Sequence, residues 1–461
     1  MMANIGLWNL ERRGHELFWD GCNLVELAGE YDTPLYVVNA ALLEQAYNTL
    51  LGAFRGEGLD TRLFFSYKTN PVPDVLRSII ALGCGAEIIS EFEFWLATKL
   101  GVRGCDMVVN GSVKSAALLR EAVLHDVAAI NVESVDELRL VRTIAVELGR
   151  SVNVGLRINP CLAKSPLDFT LSTGSRASHI GFTPRSIGWK EALRHLRDDS
   201  LLKLKGLHFH IGSGVRASRP YEAALHTALK MWTELHEEGF RPTMLDIGGG
   251  FSTPTLKEFN LLEAIRFFGW GRPPKQPARP SRDKLLKEIA RACSTVLQGF
   301  VREHGIAMPT IYVEPGRALV ASSQLLLLKV VAMRTRKNGT HVAVCDAGAL
   351  SLSPLMLSEH HWVFVSNKAE GGRTAKYDLV GNLPAPLDLV TLRRTLPVLE
   401  AGDIIAVMDA GAYFTSLGNN FAGPRPAIVM IEKNVARLAR RREAFEDMVS
   451  RDVPCDSDSG E

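Results

Sequence analysis

Eight short apolar runs between residues 63 and 313 constrain this chain more than any other feature. They fall at residues 63–67, 87–89, 107–109, 129–132, 152–158, 204–210, 244–247 and 310–313. Segments with helical spacing, such as 134–148, 221–238 and 284–304, lie between most of them. Runs that are apolar throughout, rather than alternating, belong to parallel strands covered on both faces. Eight such strands separated by helices predict an α/β region, a (β/α)8 TIM-like barrel over residues 35–315. A doubly wound open sheet produces a similar periodicity, so the pattern alone leaves that alternative open.

The texture changes after residue 315. Runs at 325–333, 341–345, 362–365 and 404–408 are short and β-rich, with Gly- and Pro-containing turns and no long helices between them. They predict an all-β C-terminal domain, a sandwich or barrel, over residues 316–435. Residues 1–34 are expected to form an N-terminal segment packing on that domain. The stretch 269–280, with six prolines and glycines around Trp270, cannot continue a helix and reads as an irregular surface loop, a disordered excursion or else a lid. A basic run, Arg437 to Arg442, is expected to be a solvated helix face. The tail to Glu461 reads as acidic and disordered.

Of the 461 residues, 46% are apolar, enough for two or more domains, and the formal net charge of +2 gives no field for nucleic acid or an anionic membrane. No apolar run approaches the ~18 residues of a membrane helix. Residues 1–18 lack an apolar signal core, and the seven cysteines show no CxxC pairing. These features point to a cytoplasmic protein with reduced thiols and no metal site.

Chemistry gathers at the ends of the predicted strands. Lys68, in Leu63-Phe-Phe-Ser-Tyr-Lys68-Thr-Asn, stands after the first run. A lone strand-end lysine ordinarily extends to solvent; one that loses hydration presents a nucleophilic amine for Schiff-base chemistry with an aldehyde. At the sixth strand, Gly206-Leu-His208-Phe-His210-Ile-Gly-Ser213 sets two histidines at i, i+2 on one face. At the seventh, Asp246-Ile-Gly248-Gly249-Gly250 offers bare backbone amides to a phosphate. At the eighth, Glu314-Pro-Gly316-Arg317 offers a carboxylate and a guanidinium. Lys68 can hold an aldehyde, the glycines with Ser213 and Arg317 a phosphate, Glu314 a pyridine nitrogen, and His210 a ring face. Together these meet the needs of pyridoxal 5′-phosphate.

With these motifs the chain resembles the barrel-type (fold type III) pyridoxal phosphate decarboxylases, most closely diaminopimelate decarboxylases. Ornithine decarboxylase and alanine racemase are more distant relatives. The resemblance spans residues 33–431 and also rests on Gly85-Ala-Glu87, Asn131-Val-Glu-Ser134, Gly155-Leu-Arg157, Cys345-Asp346-Ala-Gly348 and Asp409-Ala-Gly-Ala-Tyr413. It implies Lys68 as the Schiff-base lysine, His210 stacked on the ring and Glu314 at the pyridine nitrogen. It implies Ser213, Gly248, Gly249, Gly250, Gly316, Arg317 and Tyr413 around the phosphate, with Glu87 and Arg157 also at the cofactor. A homodimer with shared active sites and a small amino-acid substrate follow from the same resemblance.

The departures bear on substrate. The family's Gly-Pro-Leu-Cys-Glu-x-x-Asp reads Gly381-Asn-Leu-Pro384-Ala385-Pro-Leu-Asp388 here, losing both the proton-donating cysteine and the acid that binds the distal amine. The family's Arg-Pro-x-x-Tyr reads Ser353-Pro354-Leu-Met-Leu357, and its Ser-Lys-Phe-Gly reads Ser178-His179-Ile-Gly181. Diaminopimelate is therefore not the expected substrate. The first reading is decarboxylation of another amino acid or derivative through Lys68. The alternatives are racemase, epimerase or other Cα–H chemistry, and a non-catalytic regulatory homologue. His179, His360, His361 and Lys68 itself are the candidate proton donors.

Overall fold

A computed structural model describes residues 5–162, 174–175, 178, 180–197, 199–270, 272 and 282–453. Among them, 40–269 with 282–323 form one compact unit, and 5–39 with 324–453 build another. The strand Leu35–Asn39 thus belongs to the β-rich unit, not to the barrel, and residues 316–323 belong to the barrel. The first shift has a plain cause: all five residues of Leu35–Asn39 are buried between Gln324–Thr335 and Ala427–Glu432, pairing with both.

Eight parallel strands close the barrel. They are β1 (Thr61–Ser66), β2 (Gly85–Ile88), β3 (Met107–Val109), β4 (Ala129–Val132), β5 (Val152–Arg157), β6 (Leu202–His208), β7 (Met244–Asp246) and β8 (Thr310–Val313). Each pairs with the next in chain order, and β8 returns to β1 through Val313 opposite Leu63. This excludes the open-sheet alternative. Phe64, Val108, Ala129, Met244 and Tyr312 share one buried cluster, the apolar filling that a barrel interior requires. β6 and β7 approach so closely that a Cβ on Gly206 would lie 1.7 Å from the Met244 carbonyl oxygen. Helices start where capping residues permit. Ser134 accepts the Glu137 amide at the head of Val135–Leu148, and left-handed Gly149 ends it.

In the β-rich unit a sheet runs Leu389–Pro397, Thr374–Val380, His341–Cys345, Gln324–Thr335, Leu35–Asn39, Ala427–Glu432, Val435–Arg440. Ile404–Val407 also pairs with Gln324–Thr335 and carries Val363–Val365. The N-terminal residues pack here: Trp8 Nε1 donates to Asp409 Oδ2 at 3.0 Å, and the Leu17 amide to the Ser366 carbonyl at 2.8 Å.

The expected basic helix is a strand. Val435–Arg440 pairs antiparallel with Ala427–Glu432, and Lys433 and Asn434 between them both have positive φ (51° and 62°). Two left-handed residues joining adjacent strands make the type I′ hairpin turn, and that turn overrides the helix propensity of Ala, Arg and Leu. The helix Leu261–Trp270 carries two residues into the stretch expected to be irregular, because its apolar spacing continues until the prolines that begin at Pro273. Residues 273–280 and the last eight residues lie outside the described residues, so the rest of the lid and tail expectations falls there. No described helix is long and apolar enough to cross a membrane.

Candidate active site

β1 ends at Ser66, one residue earlier than the sequence suggests, and Lys68 sits in a single 3₁₀ turn, Tyr67–Thr69. Pro71 accounts for the break, because it holds Asn70 in extended backbone. The Lys68 side chain is 38% exposed rather than deeply desolvated. Its ammonium lies 2.6 Å from Glu87 Oε2, an oxygen that also accepts the Ser66 hydroxyl. Glu87 is therefore an ion-pair partner of the amine and stands within reach of its proton. Gly316 is needed beside this turn, since a Cβ there would meet Thr69 Oγ1 at 2.3 Å.

A chain of amides connects the strand ends. Asn110, just past β3, donates to Glu87 Oε1 at 3.0 Å and to Glu314 Oε1 at 2.6 Å. Asn131 on β4 donates to Asn110 Oδ1 at 2.8 Å and so holds that orientation. Arg157, ending β5, is paired with Glu133 at 2.5 Å.

The register aligns Arg157 with His208 and His208 with Asp246 across β5, β6 and β7. His208 is buried with Nε2 3.4 Å from Glu314 Oε2. Burial pushes the Glu314 carboxyl up. The His208 ring first, then the closeness of Asp246 and the Asn110 hydrogen bond, together outweigh it and hold the group well below the usual carboxylate range. Asp246 goes the other way, raised by burial first and by the Glu314 charge second.

His210 lies beyond the end of β6, not on it. Its Nδ1 accepts the Gly249 amide at 3.2 Å, fixing the ring as an acceptor there. Burial, and then the Arg157 charge, pull its pKa down to about 3, so the imidazole is neutral at neutral pH.

The three glycines differ from the expected phosphate cradle. The Gly248 amide is spent on Asp246 Oδ1 and the Gly249 amide on His210, leaving the Gly250 amide as the donor of the three without a protein acceptor among the described residues. Their small size is needed for packing. Added Cβ atoms would meet carbonyl oxygens of Phe209, Glu314 and Gly212 at 2.5, 2.2 and 2.2 Å. An anion nonetheless stands in the neighbourhood. Ser213 Oγ and Arg317 Nη1 each lie 3.3 Å from Glu258 Oε1. That shared carboxylate is a stand-in for a phosphate group, which Ser213, Arg317 and the Gly250 amide fit chemically.

Tyr413 belongs to the β-rich unit, where it has φ 66° and its carbonyl accepts Ser353 Oγ at 3.4 Å. Ser353 is fully buried, and it also takes the Leu355 amide at 3.3 Å to start a short 3₁₀ turn. His361 Nδ1 contacts the Met408 carbonyl at 2.8 Å, and His360 Nε2 contacts Arg394 at 2.8 Å. Both histidines are buried and engaged internally. His179 lies outside the described residues.

Sequence reasoning passed over Asn110, Asp246 and Glu258. An acid closing an apolar strand, as Asp246 does, is a visible signal. Glu258 has none, because only the fold brings it to Arg317.

A closed parallel barrel with a lysine, a carboxylate and an anion cradle at its strand ends defines a cofactor-dependent enzyme of the pyridoxal class. The pyridoxal binding domain of the pyridoxal-dependent decarboxylases matches residues 41–321, and the chain belongs to that family. It is 28% identical over 458 residues to the diaminopimelate decarboxylase of Methanocaldococcus jannaschii, covering 97% of this chain and 98% of that one. It is 29% identical over 436 residues to that of Archaeoglobus fulgidus, covering 94% and 96%. The crystal structure of the M. jannaschii enzyme superposes with a TM-score of 0.87, covering 98% and 99% at 28% identity. A Vibrio vulnificus lysine/ornithine decarboxylase complexed with putrescine shares the fold at a TM-score of 0.70 and 18% identity, covering 89% and 98%. The chain is accordingly a pyridoxal phosphate-dependent carboxy-lyase.

Proposed function

We propose that this enzyme decarboxylates an amino acid or amino-acid derivative other than diaminopimelate. One observation carries the reading. The barrel's strand ends carry Lys68, Glu314 and Arg317, groups of the kinds this cofactor needs, while Ser353 in the β-rich unit is buried and spends its hydroxyl on backbone. In that position a substrate's distal carboxylate would need a bidentate arginine. Pro384 and Ala385 likewise offer no acid and no thiol.

When bound, pyridoxal phosphate supplies an aldehyde and an electron-withdrawing ring. In this reading Lys68 holds the aldehyde. Ser213, Gly250, Gly316 and Arg317 hold the phosphate. Neutral His210 lies against the ring face without adding charge, and Glu314 offers its carboxylate to the ring nitrogen. Glu87 takes the Lys68 proton when the amine must be free and gives it back. Lys68 then delivers a proton to the substrate's Cα after carbon dioxide leaves, replacing the cysteine for which Pro384 stands. A homodimer with shared sites and a cytoplasmic location complete the proposal.

The test is carbon dioxide release by the cofactor-loaded enzyme across amino acids that include diaminopimelate, lysine and ornithine. Turnover of a substrate without a distal carboxylate, with diaminopimelate inert, supports the reading; efficient diaminopimelate turnover overturns it. The loss of the family's cysteine favours one second outcome, return of the proton without loss of carbon dioxide. Exchange of the α-proton in D₂O, with no carbon dioxide formed, would show racemase or epimerase chemistry. No reaction and no loss of cellular function in Lys68→Ala would instead indicate a regulatory homologue.

A further inference from the structure

Asp246 and Glu314 are buried against each other and against His208, with one polar atom of each within 4.8 Å of the other two. They are 0%, 6% and 1% exposed, so bulk water does not screen them from one another. Two carboxyls so placed cannot both ionise; the pair keeps one proton, and its surroundings decide which oxygen holds it.

The donors are unevenly distributed. Glu314 Oε1 receives Asn110, and Oε2 faces His208 Nε2. Asp246 Oδ1 receives the Gly248 amide, but among the described residues Oδ2 has no aligned donor, and neither ring nitrogen of His208 has an aligned partner. A buried carboxyl oxygen without a donor is where a proton belongs, and a buried imidazole without another acceptor turns its N–H to the nearest carboxylate. The other charged groups at these strand ends are otherwise engaged: Lys68 with Glu87, and Arg157 with Glu133. His210 accepts from Gly249, and Glu87 reaches Glu314 only through Asn110.

We propose that His208 and Asp246 are positioning residues for Glu314. His208 Nε2–H and the Asp246 carboxylic O–H both donate to it, so Glu314 is the charged member of the pair. This rests on the reading that Glu314 serves the cofactor's ring nitrogen.

The experiment is ¹⁵N-histidine NMR on the full-length protein, without cofactor and loaded with pyridoxal phosphate, alongside visible spectra and kinetics of H208F, H208Q and E314Q. His208 Nε2 is expected to carry its proton between about pH 6 and 9 in both forms. H208F is expected to lower kcat roughly ten- to hundredfold, the size of effect seen when carboxylate–histidine partners are cut at metal sites, with KM nearly unchanged. It should also move the pH at which the bound cofactor's visible band titrates. H208Q, which keeps a side-chain N–H, should recover most of both. An Nε2 without a proton, or H208F and H208Q alike with an unmoved band, overturns the proposal. E314Q separates the two failures. If its band is altered while that of H208F is not, only the proposal falls; if its band is unchanged, the reading of Glu314 falls and the proposal with it.

Discussion

The barrel and the β-rich unit both bury carboxyl groups, and they use them differently. In the barrel, Glu87, Asp246 and Glu314 meet a lysine, a histidine, an asparagine and one another. In the β-rich unit, buried Asp388 accepts the backbone amides of Leu350 and Leu383. A carboxylate satisfied by backbone fixes a loop. One set among other titratable groups has a protonation state that its neighbours tune, and that is the raw material of acid–base chemistry. The same kind of group is thus structural at Asp388 and chemical at Glu314. The Gly381 to Asp388 loop keeps its anchor even though its tip carries Pro384 and Ala385.

Four changes would break or sharpen this contrast. The largest effect is expected from Lys68→Ala, which removes the attachment point for the cofactor. Turnover should fall at least ~10³-fold with folding intact, and borohydride should leave no pyridoxyl group on the corresponding peptide by mass spectrometry. Asp388→Ala should do the reverse. Stranding two amides in the β-rich unit should cost about 2–3 kcal/mol in denaturant unfolding, with little change in cofactor affinity, and Asp388→Asn should recover part of the loss.

His210 connects the site to acid stability. The unfolded chain binds a proton near 6.5 and the folded one only near 3, so the unfolded state holds more protons between those values. Its contribution is complete above about pH 6.5 and is lost progressively as pH falls towards 3. His210→Phe should flatten that part of the stability profile measured by urea unfolding. The smallest effect is expected at Glu258. Glu258→Gln removes the anion from Ser213 and Arg317, and should tighten pyridoxal phosphate binding about fivefold, the upper scale of a solvent-accessible ion pair. Unchanged affinity in a fluorescence titration would show that this carboxylate does not share the cradle.

Much of the barrel was legible in the residues. The runs at 107–109, 129–132 and 310–313 match β3, β4 and β8 end for end, because strands buried on both faces write continuous apolar segments. Lys68 was legible as a reactive candidate, but its surroundings were not: the ion pair with Glu87 spans 19 residues and depends on Ser66 and Glu87 being in register. The triglycine was misjudged for a related reason. Glycine after a strand signals close approach without saying what approaches, and here protein carbonyls take up most of that space.

The periodicity, the strand count and the identity of the strand-end groups were determined by the sequence alone, since they follow from side-chain type and local spacing. Closure of the barrel, the hairpin at Lys433–Asn434, and the choice of Glu314 over Asp246 as the charged carboxyl were decided only by the tertiary structure. Each depends on desolvation and contacts between residues far apart in the chain, which local spacing does not encode.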